Sequence, residues 1–255
     1  MCAVLTYNTI GSDVILYRIF LNAESLMNIV IMLGIIGGTA ILKAKLPPLT
    51  LKRVATPFGF AEVYLGENLA VLKRHQFNTP PAEVNYRANL AAMKIVGVDR
   101  LILICSVGGM KSEYKPGDFV IVSDIFSPWT IPTLHEHDLY HISPSLDENL
   151  RQGLKELVPE AKDGVYAQSI GPRFETKAEI AEFASVCDVV GMTAASEITL
   201  ANELGIPVAA FCSVDNYANG VCDADAPEYA ELVKAAEKNA AKMSLLIEQM
   251  IEKFA

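Results

Sequence analysis

Residues 188–220, DVVGMTAASEITLANELGIPVAAFCSVDNYANG, carry the reading that decides the fold. Asp188 to Val190 is an apolar approach and Gly191-Met192-Thr193 a turn. Glu197 to Leu204 then predicts a short helix closed by Gly205, a residue type that tolerates left-handed backbone. Ile206 to Val214 is apolar and β-branched, the pattern of a buried strand. Asp215 and Asn216 follow it, where a parallel strand opens into a crevice. Polar side chains there need partners. A bound ligand would supply them, and so would an ordinary Asx turn, which is the commoner arrangement for this stretch taken alone.

Moving outward, the same alternation repeats. Upstream lie a strand over 164–168, a rigid turn Gly171-Pro172-Arg173-Phe174-Glu175-Thr176 and a helix from Lys177. Glu175 has two readings here, helix first-turn electrostatics or a carboxylate presented to a ligand. Earlier still, residues 84–96 have helical spacing and end at Gly97. Leu101 to Cys105 predicts a buried strand with Ser106-Val107-Gly108-Gly109 as a small-residue exit loop. Residues 119–123 read as a strand, 126–145 as a surface or active-site loop, and 146–157 as a helix.

Residues 50–72 read as a β-meander leading into Lys73-Arg74-His75, three basic side chains at a strand exit. Residues 28–36 form a strand followed by Gly37-Gly38-Thr39, a turn that lets backbone and hydroxyl approach an anion. Arg74 and His75 share that target if the two turns meet, since arginine has the donor fork an oxyanion needs. GIIGGTA lacks the third glycine of a dinucleotide fingerprint, so no nicotinamide cofactor is expected. Residues 226–254 predict a long amphipathic covering helix.

Strand, helix and strand joined by short links imply a single α/β domain over 29–255, with a mixed, mostly parallel central sheet flanked by helices. Residues 1–28 read as an N-terminal extension outside it, and they match neither a signal peptide nor a spanning helix. A net charge of -9 argues against nucleic acid as the main partner but leaves room for a small anion site. The five cysteines lack metal-ligand spacing and read as reduced thiols in a cytoplasmic protein. His135 and His137 sit in a polar loop and read as solvated, with no metal expected.

GIIGGT (34–39), RH (74–75), VNYRAN (84–89), SVGG (106–109), PGD (116–118), GPRFET (171–176) and VGMTAASE (190–197) occur in this order. Together they resemble the trimeric purine nucleoside phosphorylase and methylthioadenosine phosphorylase family, from about Leu33 to the C-terminus. The resemblance implies reversible phosphorolysis, in which inorganic phosphate attacks C1′ of a purine nucleoside to give free base and pentose 1-phosphate. Phosphate is then a co-substrate and no cofactor is needed. It also implies a homotrimer that works without nucleic acid or membrane.

Carried over residue by residue, the resemblance assigns Thr39, Arg74, His75, Ser106 and Thr193 to phosphate. Met192 falls beside the ribose and Phe174 against the base, with Val107, Gly108 and Asp215 in the substrate-binding set. Asn216, Glu175 and His75 are the expected catalytic residues. Asn216 can donate to O6 of a 6-oxopurine while Glu175 accepts from N1–H, which favours inosine, guanosine or 5′-methylthioinosine. Family members selective for 6-aminopurines carry Asp and Ser at these two positions.

RHQFNTPPAEVNY is shorter than the family's RHGxxH segment. Ala230 replaces a histidine that other 6-oxopurine enzymes place near the 5′-hydroxyl, which suits a methylthio group. Alternatives are a methylthioadenosine phosphorylase, if Asp215 faces the base, a hydrolase using water in place of phosphate, and a nucleoside-binding protein without catalysis.

Overall fold

A computed structural model describes residues 31–38, 41, 44–137, 139–223 and 229–255, with side chains of the last helix described from Lys242 onward. The strands are β1 (Leu33–Gly37), β2 (Thr50–Thr56), β3 (Gly59–Leu65), β4 (Leu69–Lys73), β5 (Arg100–Gly109), β6 (Phe119–Phe126), β7 (Lys162–Gln168), β8 (Val189–Gly191) and β9 (Val208–Tyr217). The helices are α1 (Tyr86–Ile95), α2 (Glu148–Leu157), α3 (Lys177–Phe183), α4 (Ala194–Glu203) and α5 (Tyr229–Phe254).

Among the described residues, nine strands form one mixed sheet, ordered β2-β3-β4-β1-β5-β8-β7-β6-β9, in which β9 also pairs with β5. The predicted meander is β2, β3 and β4, joined antiparallel. Strands β4, β1, β5 and β9 then run parallel to their neighbours. Because β9 pairs antiparallel with β6 as well, strands β5, β8, β7, β6 and β9 close into a ring. That closure removes two sheet edges that an open sheet would leave unpaired.

The strand pleat divides the core. Leu101 and Leu103 of β5 and Val208, Ala210, Cys212 and Val214 of β9 join one buried cluster with Ile36, Leu90, Tyr166 and Ile198. The alternating residues Ile102, Ile104, Ala209 and Phe211 join another with Leu33, Ile35, Phe119, Leu154 and Ile247. Side chains on successive strand positions point to opposite faces, so a continuously apolar strand must be covered twice. Helices α1 and α4 cover one face, and α2 and α5 cover the other.

Three expectations change. Ser106 to Gly109 are not an exit loop but the last residues of β5, paired with β9 and, at Gly108 and Gly109, with β8. A Cβ on Gly109 would lie 2.1 Å from Tyr114 O, so the glycine there serves close approach within a strand. Strand β9 likewise continues to Tyr217, carrying Asp215 and Asn216 inside the sheet. Its register shifts between Val107 and Gly108, which face Val214 and Asn216, so Asp215 is the extra residue of a bulge. Helix α4 begins at Ala194, three residues earlier than its apolar pattern suggested.

Candidate active site

Arg74 leaves the C-terminal end of β4 and is buried, contrary to the usual fate of a basic residue at a strand exit. Its Nε and Nη2 donate to Glu197 Oε1 and Oε2 at 2.7 and 2.8 Å, a bidentate pair with a carboxylate that has no solvent exposure. Nη1 donates to Ile104 O at 3.2 Å, and Nη2 also lies 3.5 Å from Cys105 Sγ. Burial acts most strongly, to lower the guanidinium's pKa, but the Glu197 charge and hydrogen bond, with Cys105 and Tyr86 nearby, together raise the value, so Arg74 stays a cation. Among the described residues, one Nη1 hydrogen has no partner and remains for a ligand.

Glu197 lies in the first turn of α4, so the ion pair ties the end of β4 to the start of that helix. Thr193 caps α4 without a side-chain capping bond, which leaves its hydroxyl out of helix duties. Several amides at this helix start are held by side chains. Tyr166 Oη accepts from Thr193 N at 3.1 Å and Ala194 N at 3.2 Å, and Gln168 Oε1 accepts from Ser196 N at 2.9 Å. Gly191 makes room for this arrangement, since a Cβ on it would lie 2.4 Å from Tyr166 Oη.

His75 is half-buried and its Nδ1 lies 2.9 Å from Thr79 O. A carbonyl can only accept, so Nδ1 carries the hydrogen and a neutral ring presents Nε2 as an acceptor. Burial lowers the imidazole pKa and the Arg74 and Lys73 charges add to that, against the opposing effect of the Thr79 bond. The segment after His75 is held by Gln76, whose amide pairs with both backbone groups of Glu62. Phe77 and Asn78 then take positive φ of 57° and 58° to complete the short turn.

Ser106 is exposed at the end of β5 next to Cys105, and its hydroxyl donates to Asp215. The Asp215 carboxylate is buried and also accepts from Ser213 Oγ at 2.7 Å. Asn216 is half-buried, donates from Nδ2 to Tyr217 O at 2.6 Å and lies beside Gly108. Glu175 is buried one residue before the α3 capping box formed by Thr176 and Glu179, so it is not a first-turn residue. Its carboxylate accepts from Ser169 Oγ, and its carbonyl accepts from Asn219 Nδ2 at 3.1 Å. The Glu175 turn is thereby fastened to the chain three residues beyond Asn216.

Met192, half-buried, offers its carbonyl to Tyr86 Oη at 3.3 Å and its sulfur to the Gly171 turn that precedes Phe174. Val107 and Gly108 are buried along β5. Thr39 lies outside the described residues, as does the side chain of Ala230. The chain's own contacts thus bind Arg74 to Glu197, on the helix that Thr193 caps, and Ser106 to Asp215, at the ends of β4, β5 and β9. Separately, Met192 lies against Gly171, and the Glu175 carbonyl is tied to Asn219, three residues beyond Asn216. Sequence reasoning missed Glu197, Tyr166 and Tyr86, which hold the expected site residues. Only the burial of an acid inside an Ala- and Ser-rich helix could have singled out Glu197.

A family model described as the phosphorylase superfamily matches residues 28–252. The chain belongs to that superfamily. It is 39% identical over 235 residues to an Archaeoglobus fulgidus protein named "Probable 6-oxopurine nucleoside phosphorylase", covering 87% of this chain and 96% of that one. It is also 39% identical over 207 residues to a Methanocaldococcus jannaschii "Probable S-methyl-5'-thioinosine phosphorylase", covering 74% and 80%. A Pyrococcus furiosus "S-methyl-5'-thioadenosine phosphorylase" is 36% identical over 245 residues, covering 87% and 92%. The fold is similar to that of a Schistosoma mansoni methylthioadenosine phosphorylase solved with adenine, with a TM-score of 0.77 and 23% identity over 87% and 91% of the two chains. Among the described residues, no helix of this superfamily member is long and apolar enough to cross a membrane.

Proposed function

We propose that the protein is a phosphate-dependent purine nucleoside phosphorylase that prefers 6-oxopurines and yields free base and pentose 1-phosphate. The observation that carries the reading is the buried Arg74 cation, locked by Glu197 of the helix that Thr193 caps and bonded to β5 two residues before Ser106, with one donor to spare. A fixed cation among hydroxyls is what an attacking oxyanion requires, and it needs no covalent nucleophile from the protein. Phosphate is held by Arg74, His75, Ser106 and Thr193, with Thr39 completing the set.

Glu175 and Asn216 read the base edge. The relatives named for 6-oxopurine and methylthioinosine substrates support that choice. So does the commitment of Asp215 to two serine hydroxyls, which leaves Asn216 as the residue for the base. Met192 lines the ribose and Phe174 the purine ring. The protein acts in the cytoplasm as a homotrimer and uses no cofactor.

Turnover of inosine, 5′-methylthioinosine and methylthioadenosine with and without phosphate tests the reading. Hypoxanthine release from either inosine-type substrate, dependent on phosphate, is the expected result. Release without phosphate would make the protein a hydrolase, and adenine release alone would reverse the base assignment.

A further inference from the structure

Glu175 is held at two points. Its carbonyl accepts from Asn219 Nδ2 at 3.1 Å, which fixes the backbone. Its carboxylate accepts through Oε1 from Ser169 Oγ, which fixes the side chain. Both partners of that second bond are buried, and an ionised carboxylate can only accept, so the Ser169 hydroxyl is the donor. Ser169 follows β7 directly and is itself tied down. Its N–H donates to Gly191 O at 2.8 Å, joining the end of β7 to the end of β8, one residue before Met192. Oε2 of Glu175 has no hydrogen-bond partner among the described residues.

From this geometry we infer that Ser169 is a specificity-determining positioning residue: its hydroxyl turns the Glu175 carboxylate so that Oε2 is held as the acceptor for N1–H of a 6-oxopurine. This role rests on the proposed reading of Glu175 as a base-edge residue. With Oε1 engaged, rotation of the carboxylate about its last bond would break a charge-assisted hydrogen bond, so the free oxygen keeps one direction. A fixed acceptor discriminates twice. It receives N1–H of a 6-oxopurine, and it opposes the N1 lone pair of a 6-aminopurine, an acceptor facing an acceptor. Without the Ser169 hydroxyl the carboxylate can turn, which weakens the first interaction and relieves the second. Ser169 thus acts through Glu175 alone.

5′-Methylthioinosine and methylthioadenosine share one sugar and differ only at the base edge, so the ratio of their kcat/KM values, measured with phosphate on the whole protein, isolates that edge. Inosine and adenosine serve in their place if the wild type cleaves only unmodified ribosides. Ser169→Ala is expected to lower the 6-oxo to 6-amino ratio about tenfold, the worth of one charge-assisted contact, with most of the loss on the 6-oxo side. Ser169→Cys, nearly the same size with a far weaker donor, should do the same without opening a gap in the packing. In a Glu175→Ala background, Ser169→Ala should move the ratio less than about twofold, because the group being positioned is gone. A change under about threefold in both S169A and S169C, an equal fall in both activities, or an S169A effect that persists without Glu175 overturns the inference and leaves the phosphorylase reading intact. Absence of phosphate-dependent base release by the wild type removes that reading and the role of Ser169 with it.

Discussion

Glu197 takes up one whole edge of the Arg74 guanidinium, Nε and Nη2, while itself fully buried, so each charge depends on the other. Removing one partner of a buried pair strands its counterpart, at a cost of about 3–5 kcal/mol. Glu197→Gln is therefore expected to lower the melting temperature by roughly 6–15 °C for a chain of this size. Arg74 would also lose its fixed direction, and the phosphate KM should rise more than about tenfold, one lost charge-assisted contact. Thermal unfolding and initial rates at varied phosphate check both, and an unchanged phosphate KM would show that the pair is structural only.

His75 supplies a pH prediction with a defined sign. Its folded pKa lies below the ordinary 6.5, so the unfolded chain binds the proton first as pH falls. The neutral ring's contribution to stability is complete above 6.5 and is lost as pH drops through the lower folded value. An NMR titration of the ring should give a midpoint under 6.5, and a midpoint above it would contradict the packing described for this residue.

At the level of elements, the junction of β8 and α4 is organised by Tyr166, whose hydroxyl accepts from two helix amides and whose ring sits against Gly191. Tyr166→Phe keeps the ring and orphans both buried N–H groups, each worth about 1–3 kcal/mol. The variant should melt several degrees lower and hold phosphate less tightly, because Thr193 rides on the same turn. Circular-dichroism melting and phosphate titration measure the two effects, and melting at the wild-type temperature would rule out this support.

The elements themselves were largely legible, since the β2–β4 meander, α1, α2 and β7 follow period and turn residues. Where the reading slipped, it slipped on residues that carry a second duty. Ser106-Val107-Gly108-Gly109 looks like a loop because small residues usually mark turns. Here they are small because β9, β8 and Tyr114 crowd them within the sheet. Asp215 and Asn216 looked like a strand's end because a bulged strand carries polar residues that a regular buried strand rejects.

For the molecule as a whole, strand periodicity reveals how many strands exist but not which of them meet. The closure of β5, β8, β7, β6 and β9 into a ring joins segments more than a hundred residues apart, and no local pattern encodes it. Ser106 on β5 meets Asp215 on β9, while the turn after β7 is tied to Asn219 beyond β9. Motif order made the family legible, whereas the contacts around the candidate site residues, Glu197 foremost, needed the packed structure.

Every strand of the ring, and every described residue of the site, lies at or beyond Leu33, and the family match starts at residue 28. A chain beginning at Asn28 should therefore keep the same melting temperature within about 2 °C, less than a single kcal/mol at this size, and should turn over the same nucleosides. Differential scanning calorimetry and the phosphate-dependent assay on the two chains decide the matter. A large loss of stability would mean that residues before 28 pack as part of the domain, and the boundary proposed from the sequence would have to move.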